Sequence, residues 1–444
     1  MTKEPVVREI ILDVLLEVLE KKQYSHVVLS QALTKYQYLE KQDRSFIKRI
    51  VDGTIEYLIQ IDYILNLYSK VKVNKMKPVI RTLLRMSVYQ ICYMDRVPDS
   101  AVCNEAVKLA ERRGFKMLKG FVNGVLRTIS REKETIVFHS DSVRYSVPDW
   151  MLKQFKEQYG DDEVKRILES FLEEKPLTVR CNLNKATLEE IRASLQSQGV
   201  ELGDSGYSEG VVTLLGVDYL ERLDAFTKGF IQVQDLSSSL SGDAAGIRDG
   251  DYIIDVCGAP GGKSIHAAEL LHGTGMVESR DISEPKVAMI EENIHRSGLK
   301  NINARVLDAL IYDADSEKKA DVLIADLPCS GLGIIGRKPD IKYNMTLEKT
   351  EDLIRLQRAM LSVVYQYVKP GGTLIYSTCT INKKENEENI RWFLENFPFS
   401  PVNIEGRLGT KLTADTMKDG YIQLLPGIHP CDGFFIAVMK RNEM

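Results

Sequence analysis

Apolar residues recur every three or four positions through the first 130 residues. Val6, Ile10, Leu12, Val14, Leu15 and Val18 form one stripe, and Ile47, Ile50, Val51, Ile55 and Leu58 form another. That period turns one face of a helix toward a core. The same pattern predicts helices over 76–94, 99–113 and 117–130, with Pro78 near the start of one, where a missing N–H is tolerated. Residues 5–130 therefore read as a helical bundle.

Further on the pattern changes. Residues 131–145 read as a linker, and Pro148-Asp149-Trp150 opens a helical stretch to about Phe171. Strand-like Leu177–Asn182, a helix near 187–198 and strand-like Val211–Leu215 make a small α+β segment. From about 235, strands alternate with helices. Strands fit Tyr252–Val256, Met276–Ser279, Asn303–Val306, Val322–Ala325 and Thr373–Tyr376; helices fit 262–272, 285–297, 348–368 and 386–396. This alternation predicts a doubly wound, mostly parallel sheet. Tyr421–Leu424 and Phe434–Met439 are expected to pair antiparallel at an edge. The predicted architecture is an α-helical N-terminal bundle (1–135), a linker with a small α+β segment (136–234) and an α/β, Rossmann-like domain (235–444).

Composition narrows the setting. With 444 residues, 44% hydrophobic and 27% charged, the chain suits a soluble protein of two or three domains. It lacks the long apolar run of a membrane span and the charged-then-apolar start of a signal peptide. Seven cysteines include no C-x-x-C pair and no close histidine partner. No metal and no disulfide framework are expected, and a reducing cytoplasm is the expected home. A monomer is expected too, since no self-complementary apolar stripe stands out. The net charge of −4 conceals an asymmetry: residues 1–130 hold 22 Lys and Arg against 14 Asp and Glu, a balance of +8 that leaves −12 for the remainder. A basic block joined to an acidic one suits a grip on nucleic acid, or simply a spread of surface charge.

Chemistry concentrates in the last 200 residues. The strand Tyr252–Val256 runs into Cys257-Gly-Ala-Pro-Gly-Gly-Lys-Ser264, and a helix follows. Glycines there let the backbone approach a ligand, and a helix N-terminus offers free N–H groups. A phosphate-binding P-loop would need glycine six residues before the lysine, and position 257 is cysteine. Asp281, 18 residues beyond Lys263, is placed to take the ribose hydroxyls of a nucleoside. Asp308 is placed for an adenine amino group, and Asp326 follows the fourth strand. One acid at a strand end is usually a helix cap. Three in succession after a glycine turn point to a nucleoside-like cofactor.

Two thiols complete the set. Cys329 stands in Asp326-Leu-Pro-Cys-Ser-Gly-Leu-Gly and Cys379 in Tyr376-Ser-Thr-Cys-Thr, each just after a strand. A thiolate that adds to carbon 6 of cytosine makes carbon 5 nucleophilic toward a sulfonium methyl. Asp326 suits hydrogen bonding to the ring nitrogen and amino group, and Lys263 adds positive potential. Most free cysteines are simply small buried residues, as is expected of Cys92, Cys103, Cys181 and Cys431. Cys257 is expected to line the cofactor pocket.

These segments, Asp326-Leu-Pro-Cys-Ser-Gly, Ser377-Thr-Cys-Thr and Gly258-Ala-Pro-Gly-Gly-Lys263, resemble those of the RNA 5-methylcytosine methyltransferases of the Sun/NOL/NSUN group. Arg180-Cys-Asn182, Gln232-Val-Gln-Asp-Leu-Ser-Ser238, Glu385-Asn-Glu387 and Asp432-Gly-Phe-Phe435 resemble further family segments. Val97–Val107 and Phe121–Arg127 resemble a NusB-type RNA-binding domain, and the two together are the architecture of the bacterial Sun type, which modifies small-subunit ribosomal RNA. The resemblance implies S-adenosylmethionine as cofactor, held by Cys257, Gly258, Ala259, Pro260, Gly261, Gly262, Lys263, Asp281, Asp308 and Asp326. It implies Cys379 as nucleophile and Cys329 as the residue that helps expel the enzyme from its product, with Asp326 and Lys263 beside them. One departure, Glu278-Ser-Arg280 before Asp281, puts the end of that strand in doubt. Ribosomal RNA is the expected partner, with the basic block, the middle segment (136–234) that carries Arg180, and Arg337-Lys338 as candidate contacts. A non-catalytic RNA-binding factor and an exocyclic-amine methyltransferase are the competing readings. The intact Lys263, Asp326, Cys329 and Cys379 argue against the first, and the cysteine in Asp326-Leu-Pro-Cys against the second.

Overall fold

The computed structural model describes residues 7–204, 207–208, 210–217, 219–409 and 411–443. The chain divides into two compact units: residues up to 164 together with 335–344, and residues 165–334 together with 345–444.

The first unit is helical: α1 (Val7–Leu19), α2 (Ser25–Lys35), α3 (Lys41–Glu56), α4 (Leu58–Tyr68), α5 (Pro78–Tyr93), α6 (Asp99–Arg112), α7 (Lys119–Glu132) and the short α8 (Asp141–Arg144). Apart from Val6, which lies outside the described residues, the stripes read from the sequence form its core: Leu12, Leu15, Ile47, Ile50, Val51 and Ile55 are fully buried, joined by Ile11 and Leu84, which those stripes do not include. One stripe is divided. Helix α3 stops before Tyr57, whose ring stacks on Tyr93 with centroids 4.4 Å apart. Just upstream, a Cβ on Gly53 would come within 2.0 Å of the Tyr89 ring, so glycine is what lets that ring lie against α3. The expected linker is ordered over part of its length. It carries a 3-10 turn, Lys133–Thr135, and then α8, which Ser140 caps by accepting the Val143 N–H at 3.3 Å. Residues 335–344 pack into this unit: the Ser25 hydroxyl donates to Asp340 at 2.5 Å and the Lys342 ammonium to the Glu56 carbonyl at 2.7 Å.

Helix α9 (Asp149–Phe171) was expected to be continuous. Gly160, at φ 79° and ψ 173°, breaks it in two.

The second unit holds two sheets. The smaller comprises β1 (Leu177–Cys181), β2 (Glu201–Asp204), β3 (Val211–Leu215) and β4 (Ile231–Val233), antiparallel throughout in the order β2-β3-β1-β4. Helix α10 (Leu188–Ser197), held by a Thr187–Glu190 capping box, and the short α11 (Asp224–Thr227) accompany it. Helix α12 (Leu236–Ala245), capped by Asp235, leads to the larger sheet.

That sheet contains β5 (Tyr252–Asp255), β6 (Met276–Asp281), β7 (Ile302–Val306), β8 (Ala320–Asp326), β9 (Val368–Thr378), β10 (Phe399–Pro401), β11 (Tyr421–Leu424) and β12 (Phe434–Arg441). The order is β7-β6-β5-β8-β9-β12, parallel except for β12. Both β10 and β11 pair with the far side of β12. The antiparallel pairing expected of the last two segments is present, but β12 is interior rather than an edge, and its run Phe434–Met439 is buried accordingly. Helices α13 (Gly262–Leu270) and α14 (Glu284–Ser297) follow β5 and β6. Successive residues of each strand feed opposite faces: Ile253, Val322, Ile375 and Ile436 belong to one core, Ile254, Leu323, Leu374 and Phe435 to the other. Strand order reverses between β5 and β8, so their carboxyl ends flank a topological switch point, where sheets of this type bind ligands.

Candidate active site

Strand β5 ends at Asp255, and the chain turns through Val256–Gly261 into α13. The turn is tight. The Gly258 N–H donates to the Arg280 carbonyl at 2.7 Å, and the Gly261 N–H to the Gly258 carbonyl at 2.6 Å. A Cβ on Gly258 would stand 2.2 Å from Ser279 Oγ, and Gly261 has φ 108°. Beneath the turn, Asp255 is fully buried, its Oδ2 accepting the Ser264 hydroxyl at 2.5 Å and its Oδ1 the Cys257 N–H at 3.3 Å. Burial pushes Asp255 up to about 7, against the opposing Ser264 hydrogen bond. Burial likewise pushes the half-buried Cys257 thiol up.

The acids occupy different settings. Asp281 ends β6, nearly buried. Its Oδ2 accepts the Ala259 N–H at 3.1 Å; its Oδ1 accepts the Ile282 N–H at 2.8 Å and lies 2.9 Å from the Lys286 ammonium. It thereby ties β6 to the glycine turn. Asp308 lies two residues past β7, where Oδ1 takes the Leu310 N–H at 2.9 Å. Ile282 and Leu310, each near one of these acids in sequence, expose 55% and 41% of their surface. The charged residues of Glu278-Ser-Arg280 do not shorten β6, which runs through to Asp281. Arg280 is buried but paired with Glu278 and Ser316, and its guanidinium lies 5.3 Å from the Tyr367 ring centroid.

Lys263, Asp326, Cys329 and Cys379 are neighbours. Lys263, in the first turn of α13, places Nζ 2.8 Å from Asp326 Oδ2, while Asp326 Oδ1 accepts the Ser377 hydroxyl at 2.8 Å. Burial alone lowers the Lys263 pKa, but the Asp326 carboxylate outweighs it and holds the ammonium above its usual range. The Sγ atoms of Cys329 and Cys379 are 3.4 Å apart. Their loops touch backbone to backbone: the Gly333 N–H donates to the Cys379 carbonyl at 3.1 Å and the Gly433 N–H to the Gly333 carbonyl at 2.9 Å. A Cβ on Gly333 would reach the Gly433 carbonyl at 2.1 Å. The hydrogen bond with Cys379, then burial, then nearby negative charge push the Cys329 thiol well above its usual range.

Sequence reasoning assigned no role to the polar residues that bind these loops together. Glu385 is fully buried and takes the Ser330 N–H at 2.9 Å, the Gln357 amide at 3.0 Å and the Asn382 amide at 3.0 Å. Thr378 donates to Asn386 at 2.6 Å, and Asn386 donates to the Thr380 carbonyl at 3.0 Å. The signal available was the run Asn382–Asn389, rich in Asn and Glu, directly after a strand end.

The candidate RNA contacts need correction at one point. Arg180 is 4% exposed and sealed inside, donating to Gln234 at 2.7 Å and paired with Glu269, which fastens the small sheet to α13. It is not available to a phosphate. Arg337 and Lys338 are half-buried in the segment that packs with the helical unit. Among the other cysteines, Cys103 and Cys181 are buried, whereas Cys92 and Cys431 are half-buried at the margins of their cores. Among the described residues no group of His, Cys, Asp or Glu is arranged to hold a metal, and no helix is long and apolar enough to cross a membrane.

Comparison with known proteins agrees with this arrangement. The family model "16S rRNA methyltransferase RsmB/F" matches residues 245–440, the NusB family model residues 5–131, and an RsmF/B-like ferredoxin-like domain residues 147–217. A Bacillus subtilis protein named "Probable ribosomal RNA small subunit methyltransferase B" is 36% identical over 449 residues, covering 99% of this chain and all of the relative. The chain belongs to the ribosomal RNA small subunit methyltransferase B family. The Vibrio cholerae member is 30% identical, with 94% of each chain covered. Among solved structures, that of PH0851 superposes with a TM-score of 0.83 at 26% identity over 98% of both chains. NSun6 from Pyrococcus horikoshii, solved with SFG, shares the fold at a TM-score of 0.59 and 22% identity, over 67% of this chain and 99% of that one.

Membership makes the chain a methyltransferase of ribosomal RNA type, with a NusB-like helical domain, a ferredoxin-like segment and a Rossmann-like sheet. Its methyl donor is S-adenosylmethionine. The residues fit that cofactor: the backbone at Gly258 is bare because a Cβ would not fit, Asp281 is fixed beside it, and apolar Ile282 is exposed next in the chain.

Proposed function

We propose that this chain transfers a methyl group to carbon 5 of a specific cytosine in 16S (small-subunit) ribosomal RNA, through a covalent bond between Cys379 and carbon 6 of the ring. The observation that carries the reading is the 3.4 Å approach of Cys329 and Cys379, at the ends of adjacent parallel strands, beside the Lys263–Asp326 pair. A methyltransferase of amines or oxygens has no use for two such thiols.

Cys379 adds to carbon 6, and the ring's electrons move toward carbon 5 and nitrogen 3. Asp326, fixed by Lys263 and Ser377, accepts a hydrogen bond from the amino group of the base and orients the ring, while the Lys263 ammonium offsets the negative charge that develops. S-adenosylmethionine, when bound, supplies an electrophilic sulfonium methyl. Once carbon 5 carries the methyl, a general base takes its proton, the electrons of that C–H bond re-form the carbon 5–carbon 6 double bond, and Cys379 departs as a thiolate with the electrons of its bond. Cys329, the neighbouring thiol, assists that departure. Cys257 to Lys263, Asp281, Asp308 and Asp326 line the cofactor side. The target base leaves its stack to reach the thiols.

The helical domain (residues 1–135), with its excess of positive charge, grips the RNA. Within it the α6–α7 hairpin is the strongest candidate. Lys108, Lys119 and Arg127 line a groove of about 480 Å³ together with Asn104 and Asn123, and open space lies beside Gly120 and Gly124. The linker and small α+β subdomain (136–234) also serve RNA binding, and the methyltransferase domain follows over 235–444. The protein acts in the cytoplasm as a monomer.

The test is product identity. Unmodified small-subunit RNA is incubated with the protein and methyl-labelled S-adenosylmethionine, and the digested nucleosides are separated by mass spectrometry. Label in 5-methylcytidine supports the reading; label on an exocyclic amine or a ribose overturns it.

A further inference from the structure

Glu385 lies six residues beyond Cys379 and is 0% exposed. Its carboxylate takes four hydrogen bonds. Oε2 receives the Ser330 N–H at 2.9 Å and the Gln357 amide at 3.0 Å; Oε1 receives the Asn382 amide at 3.0 Å and the Ser330 hydroxyl. All four donors are neutral. Burial pushes the Glu385 carboxyl above its usual range, and the hydrogen bonds from Ser330, Asn382 and Gln357 oppose that rise by favouring the ionised form. The network around it is equally buried. Gln357 also reaches the Pro328 carbonyl at 2.9 Å and receives Asn389 at 2.8 Å, and the Tyr376 hydroxyl donates to the Glu385 carbonyl at 2.6 Å.

These contacts bracket one thiol. Pro328 and Ser330 are the chain neighbours of Cys329, and both are tied to the Glu385 hub. Thr380, the neighbour of Cys379, lies with Oγ1 2.7 Å from Ser330 Oγ. Two thiols 3.4 Å apart resist ionising together, so the local field decides which one gives up its proton.

We infer that Glu385 is the positioning residue of the thiol pair: its carboxylate clamps the Pro328–Ser330 segment onto Thr380–Asn382 and sets a fixed negative charge behind Cys329, so that Cys329 keeps the shared proton and Cys379 is freed to attack. This rests on the proposed attack by Cys379. The charged and titratable groups around the pair are Glu385, Asp326, Tyr376 and Lys263. The Glu385 and Cys379 charges both act to keep Cys329 protonated, while the Lys263 ammonium is coupled to Cys379.

The experiment needs neither RNA nor cofactor. Full-length protein is alkylated with iodoacetamide across a pH series, and labelling at each cysteine is read by mass spectrometry. In the wild type, Cys379 labels ahead of Cys329. In Glu385→Gln, checked for folding by its thermal melt and S-adenosylmethionine binding, the pH at which Cys329 becomes labelled falls by about one unit. The kcat–pH profile for methylation moves with it, while KM for RNA holds. Wild-type protein that labels Cys329 first overturns the inference without any variant. So does a folded Glu385→Gln protein with an unchanged labelling order and pH dependence. Absence of 5-methylcytidine from the wild-type reaction would defeat the proposed function instead, and the labelling order would still score the role of Glu385.

Discussion

The Lys263 ammonium and the Asp326 carboxylate stand 2.8 Å apart, one in the first turn of α13 and the other at the last residue of β8. The glycine turn and the thiol loop are thereby locked to each other. Lys263→Met removes the cation and leaves Asp326 without its ammonium partner. We expect kcat to fall by about 10²- to 10³-fold, a loss typical of removing one charge-stabilising group. Single-turnover methylation of small-subunit RNA measures it; a loss under tenfold would mean the pair is structural only.

Gly258 is where the backbone must stay bare. Its missing Cβ would press on Ser279 Oγ at 2.2 Å, within the Asp255–Ser264–Ser279 network. Gly258→Ala is expected to cost about 1–3 kcal/mol of stability and to weaken S-adenosylmethionine binding, read by thermal melts and calorimetry. Unchanged affinity would place the cofactor away from this turn.

Asp255 makes a pH prediction. Its folded pKa, about 7, lies above the 3.8 of an ordinary aspartate. Between these values the folded form binds the extra proton. Its stabilising contribution is therefore complete below about 3.8 and is lost as pH rises through about 7. Asp255→Asn should flatten that part of the stability–pH curve. Denaturant melts at several pH values compare the two, and parallel curves would mean that Asp255 does not titrate there.

Arg180 is expected to act on stability. Arg180→Ala leaves Glu269 buried without its partner, which should cost about 3–5 kcal/mol and lower Tm by on the order of 10 °C. RNA binding by the folded fraction should not change. Lys108, Lys119 and Arg127 should behave in the opposite way. Replacing all three with Ala should leave Tm in place and reduce the slope of log K against log salt by about 2. A filter-binding salt titration separates the two cases.

How far the sequence foretold the structure depended on period and length. The strands β5 to β9 and helices α1, α3, α5, α6 and α7 announce themselves because each repeats its pattern for a turn or more, or alternates buried faces, whereas the pattern does not mark out α2 and α4 as separate helices. Strands β2 and β4 do not, because four and three residues are too few to show a period. Helix α12 passes unseen because Leu236–Ala245 is largely serine and alanine. Gly160 breaks α9 through a positive φ that no stripe of apolar residues encodes. The candidate site was legible where chemistry needs rare residues in sequence, at Lys263, Asp326, Cys329 and Cys379. It was illegible where polar residues work by being buried. Arg180 reads as a phosphate contact until its burial is known, and Glu385 reads only as part of a family-like segment.

The central claim is the division of labour between the thiols, and one trapping reaction tests it most directly. Wild type, Cys329→Ala and Cys379→Ala are incubated with unmodified small-subunit RNA and S-adenosylmethionine, then run on a denaturing gel. The account predicts that Cys329→Ala accumulates a protein–RNA adduct, whereas Cys379→Ala gives neither adduct nor methylated RNA. An adduct and methylated RNA from Cys379→Ala would contradict it and make Cys329 the attacking thiol.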